Sequence, residues 1–287
     1  MRLDDLRETE NVDDRRGRGG FGMGPRVAMG GGGLGLVAVI VLSLLFGVDP
    51  GQLLGGDPGA VQGDSPVYGP SGGGGPRADD AAYDFSRRIV GSAEDIWPAL
   101  LQQQGVRFQS ATFTVYDAVT PTGCGTGQAA AGPFYCPADA HIYLDLSFFN
   151  ELGTRFGAPG DFARAYVIAH EYGHHIQNLM GTMDSHRAGM AGATGDSVRT
   201  ELQADCYAGV WAYHANQRFN MLEAGDVEEG LAAASAVGDD TLQKEARGYA
   251  VPDSFTHGTS TQRMRWFRRG LDGGQMAACD TFSAGRL

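Results

Sequence analysis

The sequence lacks an extended basic region. Its 287 residues include 22 Lys and Arg against 34 Asp and Glu, which gives a formal net charge of −12 at pH 7. Beyond the short run RWFRR at residues 265–269, no cluster offers a basic face that could neutralise phosphates, and this run is typical of the solvated side of a helix. The composition therefore excludes nucleic acid as an expected partner.

A long stretch near the N-terminus lacks charge altogether. No charged residue occurs between Arg26 and Asp49, and residues 34–48 are almost entirely aliphatic. As a helix, the uncharged stretch would be about 33 Å long, which is enough to cross the hydrocarbon core of a bilayer. A cleaved signal peptide is the alternative, but the polar stretch before it is long and no small-x-small cleavage site follows it. We therefore predict one uncleaved transmembrane helix, residues 30–48.

Basic residues are unevenly distributed around this predicted span. Arg15, Arg16, Arg18 and Arg26 precede it closely, whereas no Lys or Arg follows it until Arg77. Because basic residues stay preferentially on the cytoplasmic side, this asymmetry predicts a single-pass protein of the cell membrane with a cytoplasmic N-terminus. The rest of the chain would then lie outside the cytoplasm.

The segments on either side of the predicted span lack a hydrophobic period. Residues 1–29 are charged and glycine-rich, and we predict that they form a disordered cytoplasmic tail. Residues 49–78 are rich in Gly, Pro, Asp and Ser, and we predict a flexible linker there. Residues 79–287 contain no internal repeat and can bury one sizeable core, so we expect them to form a single folded domain.

Cysteine is scarce, and the number of cysteines is even. The chain has four, which suits an oxidising compartment. Cys124 and Cys136 flank a Gly-rich loop with little core of its own, so a disulfide between them would stabilise that loop. Cys206 would then pair with Cys279 and tie the C-terminal segment to a predicted helix. Four cysteines allow three pairings, and the other two remain open at this point.

Residues 170–174, HEYGH, match the H-E-x-x-H motif of zinc sites and lie in a segment of helical composition. His170 and His174 are about 40° apart around a helix, so both imidazoles can bind one metal ion. Glu171 lies about 100° from His170 and could instead act as the general base on a water molecule. His175 would point about 140° away from His170, so we do not expect it to be a ligand.

Catalytic zinc usually has three protein ligands, so a third ligand must come from elsewhere in the chain. Glu201 and Asp205 lie four residues apart in a run of helical composition with many apolar neighbours, TELQADCYAG at residues 200–209. We expect Glu201 to bind the metal and Asp205 to accept the free N–H of a metal-bound imidazole. The alternative is that both acids lie on a solvated helix surface. Lesser candidates for the third ligand are His141, His186 and His214.

Taken together, HEYGH and the later ELQADC at residues 201–206 resemble the bacterial neutral zinc metallopeptidase family, a membrane-anchored relative of the gluzincin peptidases. The resemblance covers residues 79–287. It implies one zinc ion per chain, bound by the two histidines of the motif and by Glu201. It also implies that Glu171 activates the attacking water and that Asp205 supports a ligand.

The resemblance extends to a polar stretch near the C-terminus, SFTHGTSTQR at residues 254–263. His257 would be a second catalytic residue, which donates a hydrogen bond to the oxyanion of the tetrahedral intermediate. The alternative is that His257 is a capping or loop histidine. Arg263 and Tyr207 are weaker candidates for the same role.

The hydrophobic patterns predict an α+β fold, mostly helical with a small sheet and preceded by the transmembrane helix. The resemblance implies that the domain is zincin-like. By resemblance, residues 141–145 would form an edge strand that pairs with an extended substrate; the alternative is an interior strand without substrate contact. Besides the helices that carry the motifs, we predict helices over residues 80–104, 226–248 (divided near 238–240) and 259–271, and strands over residues 106–119 and 140–146.

These features predict a membrane-anchored zinc endopeptidase that hydrolyses extracytoplasmic proteins or peptides with water activated by Glu171. The alternative, from a different class, is a catalytically silent, metal-stabilised domain that binds envelope proteins. Glu171 argues against this alternative, because a structural zinc site closes its fourth position with a protein ligand and needs no general base.

Overall fold

Helices make up most of the fold and surround one small sheet, which confirms the predicted α+β class. The structure, a computed structural model, describes residues 1–17, 77, 79–185 and 192–287. The helices are α1 (Asp80–Gln103), α2 (Phe148–Thr154), α3 (Asp161–Leu179), α4 (Thr182–Ser185), α5 (Asp196–Phe219), α6 (Asp226–Ala236), α7 (Asp239–Arg247) and α8 (Ser260–Gly273). The strands are β1 (Val12–Asp14), β2 (Thr112–Val115), β3 (Val119–Thr122), β4 (Gly125–Gln128), β5 (Phe134–Cys136) and β6 (His141–Leu144).

The main sheet has the strand order β1-β2-β6-β5. Strand β2 pairs in parallel with both β1 and β6, whereas β5 pairs antiparallel with β6. Phe113 and Val115 of β2 are fully buried, as are Ile142 and Leu144 opposite them on β6. Strands β3 and β4 form a separate antiparallel hairpin. The sheet therefore presents alternate side chains of its central strands to the helical core.

The prediction that residues 141–145 form an edge strand is wrong. Strand β6 lies between β2 and β5, and its buried pattern is that of an interior strand. On this side of the sheet the edge strand is β5, which pairs on one side only among the strands that the structure describes. The sequence pattern could not show this, because β5 is three residues long and its neighbours are glycines, small residues and a proline.

Helix α3 occupies the centre of the helical layer. It packs against α1, α5 and α6, and α5 packs in turn against α8. Phe162 at the start of α3 stacks on Trp211 of α5 and lies against Phe267 of α8, and all three side chains are buried. Because neighbours cover α3 on several sides, nearly every residue between Phe162 and Gln177 is buried, including those of the HEYGH motif.

The prediction that residues 1–29 form a disordered tail is wrong for residues 1–17, which we call the N-terminal arm. Strand β1 of the arm adds an edge to the main sheet beside β2. Leu6 and Thr9 are buried, and the arm lies so close to α1 that a side chain on Gly91 would overlap the carbonyl oxygen of Arg7. The charged composition suggested solvation, but several of these charges are paired within the fold.

A buried carboxylate on α1 holds the arm. Glu94 is 6% exposed and accepts hydrogen bonds from Arg7 (3.0 Å), from the hydroxyl of Thr9 (2.8 Å) and from the amide of Asn11 (2.7 Å). The side chain of Arg16 is also buried, where it pairs with Asp14 and lies 4.1 Å from the ring centroid of Tyr83. The arm is thus an integral part of the fold.

The pairing of β1 with β2 bears on the predicted membrane topology. Residues 12–14 and 112–115 form one ladder, so they must lie in the same compartment. A chain that crossed a membrane once between residues 17 and 79 would separate them by the full hydrocarbon thickness of about 30 Å. The predicted arrangement, with the N-terminus inside and the domain outside, is therefore incompatible with the sheet.

The predicted transmembrane helix, residues 30–48, and nearly all of the predicted linker, residues 49–78, lie outside the described residues. Within the described ranges, no helix combines the length and the apolar character needed to span a bilayer.

Both predicted disulfides are present. Cys124–Cys136 joins the β3–β4 hairpin to the edge strand β5, with Cα atoms 5.8 Å apart. Cys206–Cys279 joins α5 to the C-terminal segment, with Cα atoms 5.5 Å apart.

The predicted helices are also present, including the division of residues 226–248 into α6 and α7. The strand predicted over residues 106–119 is shorter than expected, because Val106 still bonds to the end of α1.

We predict that Thr9→Val destabilises the fold, although Thr9 lies far outside the predicted domain. The change keeps the shape of the side chain but removes one donor from the buried Glu94 carboxylate, and a hydrogen bond to a charged group contributes about 1.5–3 kcal/mol. The free energy of unfolding, measured by urea denaturation, should fall by that amount. The matched control is Thr154→Val at an exposed helical position, which should change it by less than about 0.5 kcal/mol. Equal effects of the two changes would contradict the docked arm.

Candidate metal centre

The two histidines of the HEYGH motif lie on one face of α3, as their spacing predicts. Their ring centroids are 4.8 Å apart, and both residues are buried, with 6% exposure for His170 and 9% for His174. Glu201, near the start of α5, faces both rings. Its Oε2 lies 3.2 Å from Nε2 of His170, and its Oε1 lies 3.5 Å from Nε2 of His174.

The three donor groups fit a zinc ion. One ligand atom from each residue lies within 4.8 Å of the other two. Zinc bonds to nitrogen and oxygen are about 2.0–2.2 Å long, so two ligands of a tetrahedral site are about 3.3–3.5 Å apart. The distances from Glu201 to the two imidazoles are close to these values. Two imidazoles and a carboxylate are also one of the donor sets that catalytic zinc sites use.

A glycine within the motif brings Glu201 close to the histidines. Gly173 faces the backbone of Ala204 on α5, and a Cβ added at Gly173 would lie 2.8 Å from the Ala204 carbonyl oxygen. A larger residue would therefore push the two helices apart. The Gly173 contact lets α5 place Glu201 beside both imidazoles, which the H-E-x-x-H spacing alone could not show.

Asp205 supports His170 in the predicted way. The carboxylate is fully buried and accepts a hydrogen bond from His170 Nδ1 at 2.8 Å, which turns Nε2 towards Glu201. Tyr166 donates its hydroxyl to the same oxygen at 2.5 Å, and Arg263 donates two hydrogen bonds to the carboxylate. Burial by itself would raise the pKa of Asp205, but the positive charges of Arg263 and His170 lower it to about 2. Asp205 therefore stays ionised at neutral pH.

The weaker candidates for an oxyanion donor have other partners. Arg263 is 4% exposed, and its guanidinium is engaged with Asp205, Tyr166 and the carbonyl of Val237. Tyr207 is buried, and its ring packs edge-on against Trp97 at 5.7 Å. Neither side chain is therefore placed to donate to a substrate.

Glu171 follows His170 directly on α3 and is 8% exposed. Within the part of the chain that the structure describes, no group donates a hydrogen bond to its carboxylate. Its lone pairs are thus available to accept a proton from a bound water molecule, which is the first requirement for a general base.

His257 lies on the loop before α8, and Asp239 at the start of α7 organises that loop. Asp239 Oδ2 accepts hydrogen bonds from three successive backbone N–H groups, those of residues 256–258, at 2.7–2.9 Å. Its other oxygen lies 3.2 Å from His257 Nδ1. Burial lowers the pKa of His257, but its hydrogen bond to Asp239 and the charge of Glu201 raise the pKa above its usual value.

The other histidines do not join the cluster. His175 donates Nε2 to the carbonyl of Gln109 at 2.7 Å and accepts from the hydroxyl of Tyr135 at Nδ1, so it points away from the metal site as predicted. His141 bonds to Thr114 and His214 to the carbonyl of Gly274. His186 lies outside the described residues.

Sequence reasoning missed several residues around the site. Tyr166 lies four residues before His170, and Gln177 lies three residues after His174, so helical spacing from each histidine was a signal that could have found both. The contacts of Asp239 with His257 and of Arg263 with Asp205 join segments far apart in the chain. No local signal in the sequence reports these pairs.

Comparison with known proteins agrees with this geometry. The chain matches, over residues 1–282, the family model described as "Putative neutral zinc metallopeptidase". It is 45% identical over 291 residues to the uncharacterized protein YpfJ of Escherichia coli strain K12, an alignment that covers 98% of this chain and 99% of that protein. It is 44% identical over 206 residues to the uncharacterized protein Rv2575 of Mycobacterium tuberculosis strain H37Rv, covering 68% of this chain and 69% of that protein.

No solved structure shows significant similarity to the chain. The family match begins at residue 1 and thus includes the N-terminal arm as well as the metal centre. The chain therefore belongs to the family of neutral zinc metallopeptidases.

Proposed function

We propose that this protein is a zinc-dependent endopeptidase that hydrolyses proteins or peptides outside the cytoplasm. The observation that carries the proposal is the convergence of His170, His174 and Glu201 on one point. Glu171 is the next residue after His170 on α3. Only three protein donors converge on that point among the described residues. Three protein ligands leave a position open for water and substrate, as in catalytic zinc sites.

When bound, zinc would lower the pKa of a coordinated water and polarise the scissile carbonyl. Glu171 would accept a proton from the attacking water and then deliver it to the nitrogen of the leaving amine. Glu201 and the two histidines would hold the ion. Asp205 would keep Nε2 of His170 turned towards it by accepting from Nδ1.

We propose that His257 stabilises the oxyanion that forms when water attacks the carbonyl carbon. Its ring is about one third exposed, so it is accessible to a substrate. Asp239 holds both the backbone and Nδ1 of His257, which limits the reorganisation needed during the reaction. A positive charge on the ring would strengthen the interaction.

The edge strand β5 offers a place for an extended substrate. Its Tyr135 hydroxyl bonds to His175 and accepts from Asn178, both on α3, so the strand is fixed to the helix that carries the metal ligands. The Cys124–Cys136 disulfide also ties the strand to the β3–β4 hairpin. An extended peptide could add to the open edge of β5 through backbone hydrogen bonds, which would suit protein and peptide substrates of varied sequence.

We also propose that the domain and the N-terminal arm act together on the outer side of the cytoplasmic membrane. The support is the pair of disulfides, since such bonds persist in oxidising compartments and are rare in the cytosol. The arm shares that side because it forms one sheet with the domain.

Glu171→Gln is the change that tests the peptidase mechanism. It is nearly isosteric and leaves the three proposed ligands in place, so zinc should be retained while cleavage of casein falls by about 10²- to 10⁴-fold or more. The matched control is Glu228→Gln on the exposed side of α6, which should cleave like the wild type. Equal cleavage by wild type and Glu171→Gln, both loaded with zinc, would contradict the mechanism. Stoichiometric zinc without cleavage by the wild type would favour a binding domain.

Changes at the proposed ligands should lower zinc content as well as activity. His170→Ala, His174→Ala and Glu201→Ala each remove one of three protein bonds to the metal, whereas His214→Ala changes a histidine on α5 that bonds elsewhere. Elemental analysis at limiting free zinc should find substoichiometric metal in the first three variants and stoichiometric metal in the fourth. Full zinc in Glu201→Ala would assign the third ligand to another residue.

The compartment can be tested through the cysteines. Thiol labelling of the denatured, unreduced protein should detect no free cysteine, because all four are paired in the structure. Tags on the arm and at the C-terminus should become accessible together when the outer face of the membrane is opened. Four reactive thiols, or tags accessible from opposite faces, would contradict the proposed location.

A further inference from the structure

A buried amide, and not a carboxylate, contacts the second histidine of the metal centre. Nδ1 of His174 lies 2.8 Å from Oε1 of Gln177, almost one turn later on α3, and Gln177 is fully buried. His170 instead donates its Nδ1 to the carboxylate of Asp205. The two proposed histidine ligands thus have partners of different charge.

A backbone carbonyl determines which way the Gln177 amide faces. Nε2 of Gln177 lies 2.7 Å from the carbonyl oxygen of Thr200, and a carbonyl oxygen can only accept, so the NH₂ group must be on that side. Oε1 is thereby turned towards His174, and it also can only accept. The proton of a neutral His174 must therefore be on Nδ1, which leaves the lone pair of Nε2 facing Glu201.

The side chain of Gln203 is a second buried amide, and its hydrogen bonds agree with this orientation of Gln177. Nε2 of Gln177 also donates to Oε1 of Gln203 at 3.0 Å, and Nε2 of Gln203 donates to the carbonyl of Cys279 at 3.1 Å. Reversing Gln203 would place two NH₂ groups together and an oxygen against the Cys279 carbonyl, all away from water. The Thr200 carbonyl thus orients the Gln177 amide, and the Cys279 carbonyl independently orients the Gln203 amide.

We propose that Gln177 is a positioning residue that holds His174 in the Nδ1–H tautomer and fixes the direction of its Nε2 towards the metal. The inference rests on the metal site of the proposed peptidase. An amide suits this position better than a carboxylate for two reasons. It donates to Thr200 while accepting from His174, and it adds no further negative charge beside Glu201 and Asp205.

The test is the zinc affinity of the full-length protein, measured by competition with a chromophoric chelator. Gln177→Met keeps the length of the side chain but removes the acceptor, so affinity should fall by about 10- to 100-fold. Gln177→Glu keeps an acceptor for Nδ1 but loses the donor to Thr200. It should therefore bind zinc more tightly than Gln177→Met, even though its thermal stability is also reduced.

Gln203→Met is the matched control, since it removes the buried amide that accepts a hydrogen bond from Gln177 and does not contact His174. The Thr200 carbonyl still orients Gln177 in this variant, so zinc affinity should stay within about three-fold of the wild type. A purely structural role for Gln177 predicts instead that both methionine variants lose zinc to the same extent, in proportion to their loss of thermal stability.

Unchanged zinc affinity in Gln177→Met, or equal losses in Gln177→Met and Gln203→Met, would overturn the inference. Failure of this inference can be told apart from failure of the proposed function. If the wild type binds zinc but cleaves nothing while Gln177→Met binds zinc weakly, the peptidase proposal fails and the inference stands. If the wild type binds no zinc, the inference fails together with the metal centre.

Discussion

The metal centre depends on the hydrogen bonds and the ion pair that the buried carboxylate of Asp205 makes. Asp205 lies on α5, accepts from His170 and Tyr166 on α3, and pairs with Arg263 on α8, so one group joins the three helices that form the site. The charge of Arg263 compensates that of Asp205 where neither group reaches water. Removing one member of such a buried pair typically costs about 3–5 kcal/mol, because the other charge is left uncompensated. The network therefore couples the orientation of a metal ligand to the packing of the helical layer.

The two histidines of the metal centre have different hydrogen-bond partners. His170 is oriented by a carboxylate whose charge is balanced by an arginine, whereas His174 is oriented by a neutral amide that is itself fixed by a backbone carbonyl. With Glu201 as the third donor, the negative charge around the ion would then be mainly that of Glu201 and of the proposed base Glu171, which is buried. This balance favours a zinc ion that still acts as a Lewis acid, since additional anions nearby would offset its charge.

Some of the site could be predicted from the sequence, mainly where local spacing along a helix was sufficient. The pairing of His170 with His174 depends only on helical periodicity, which is a local property. Glu201 and Asp205 were also found, since their spacing on one helix is local, and their joint approach to α3 followed from resemblance. Asp239 could not be found, because its contact with His257 joins α7 to a loop through tertiary packing.

The fold shows the same difference between local pattern, which the sequence reveals, and tertiary contact, which it does not; the N-terminal arm is the clearest case. By itself the sequence determined the positions of most helices and the two histidines on one helical face, because these follow from periodicity and from short-range composition. It favoured the observed disulfide pairing but left the other two pairings open. Only the tertiary structure decided that residues 1–17 complete the sheet, that β5 and not β6 is its edge, and that Gly173 lets Glu201 reach the histidines. Each of these depends on which distant surfaces come into contact, and a buried charge such as Glu94 has the same letter in the sequence as a solvated one.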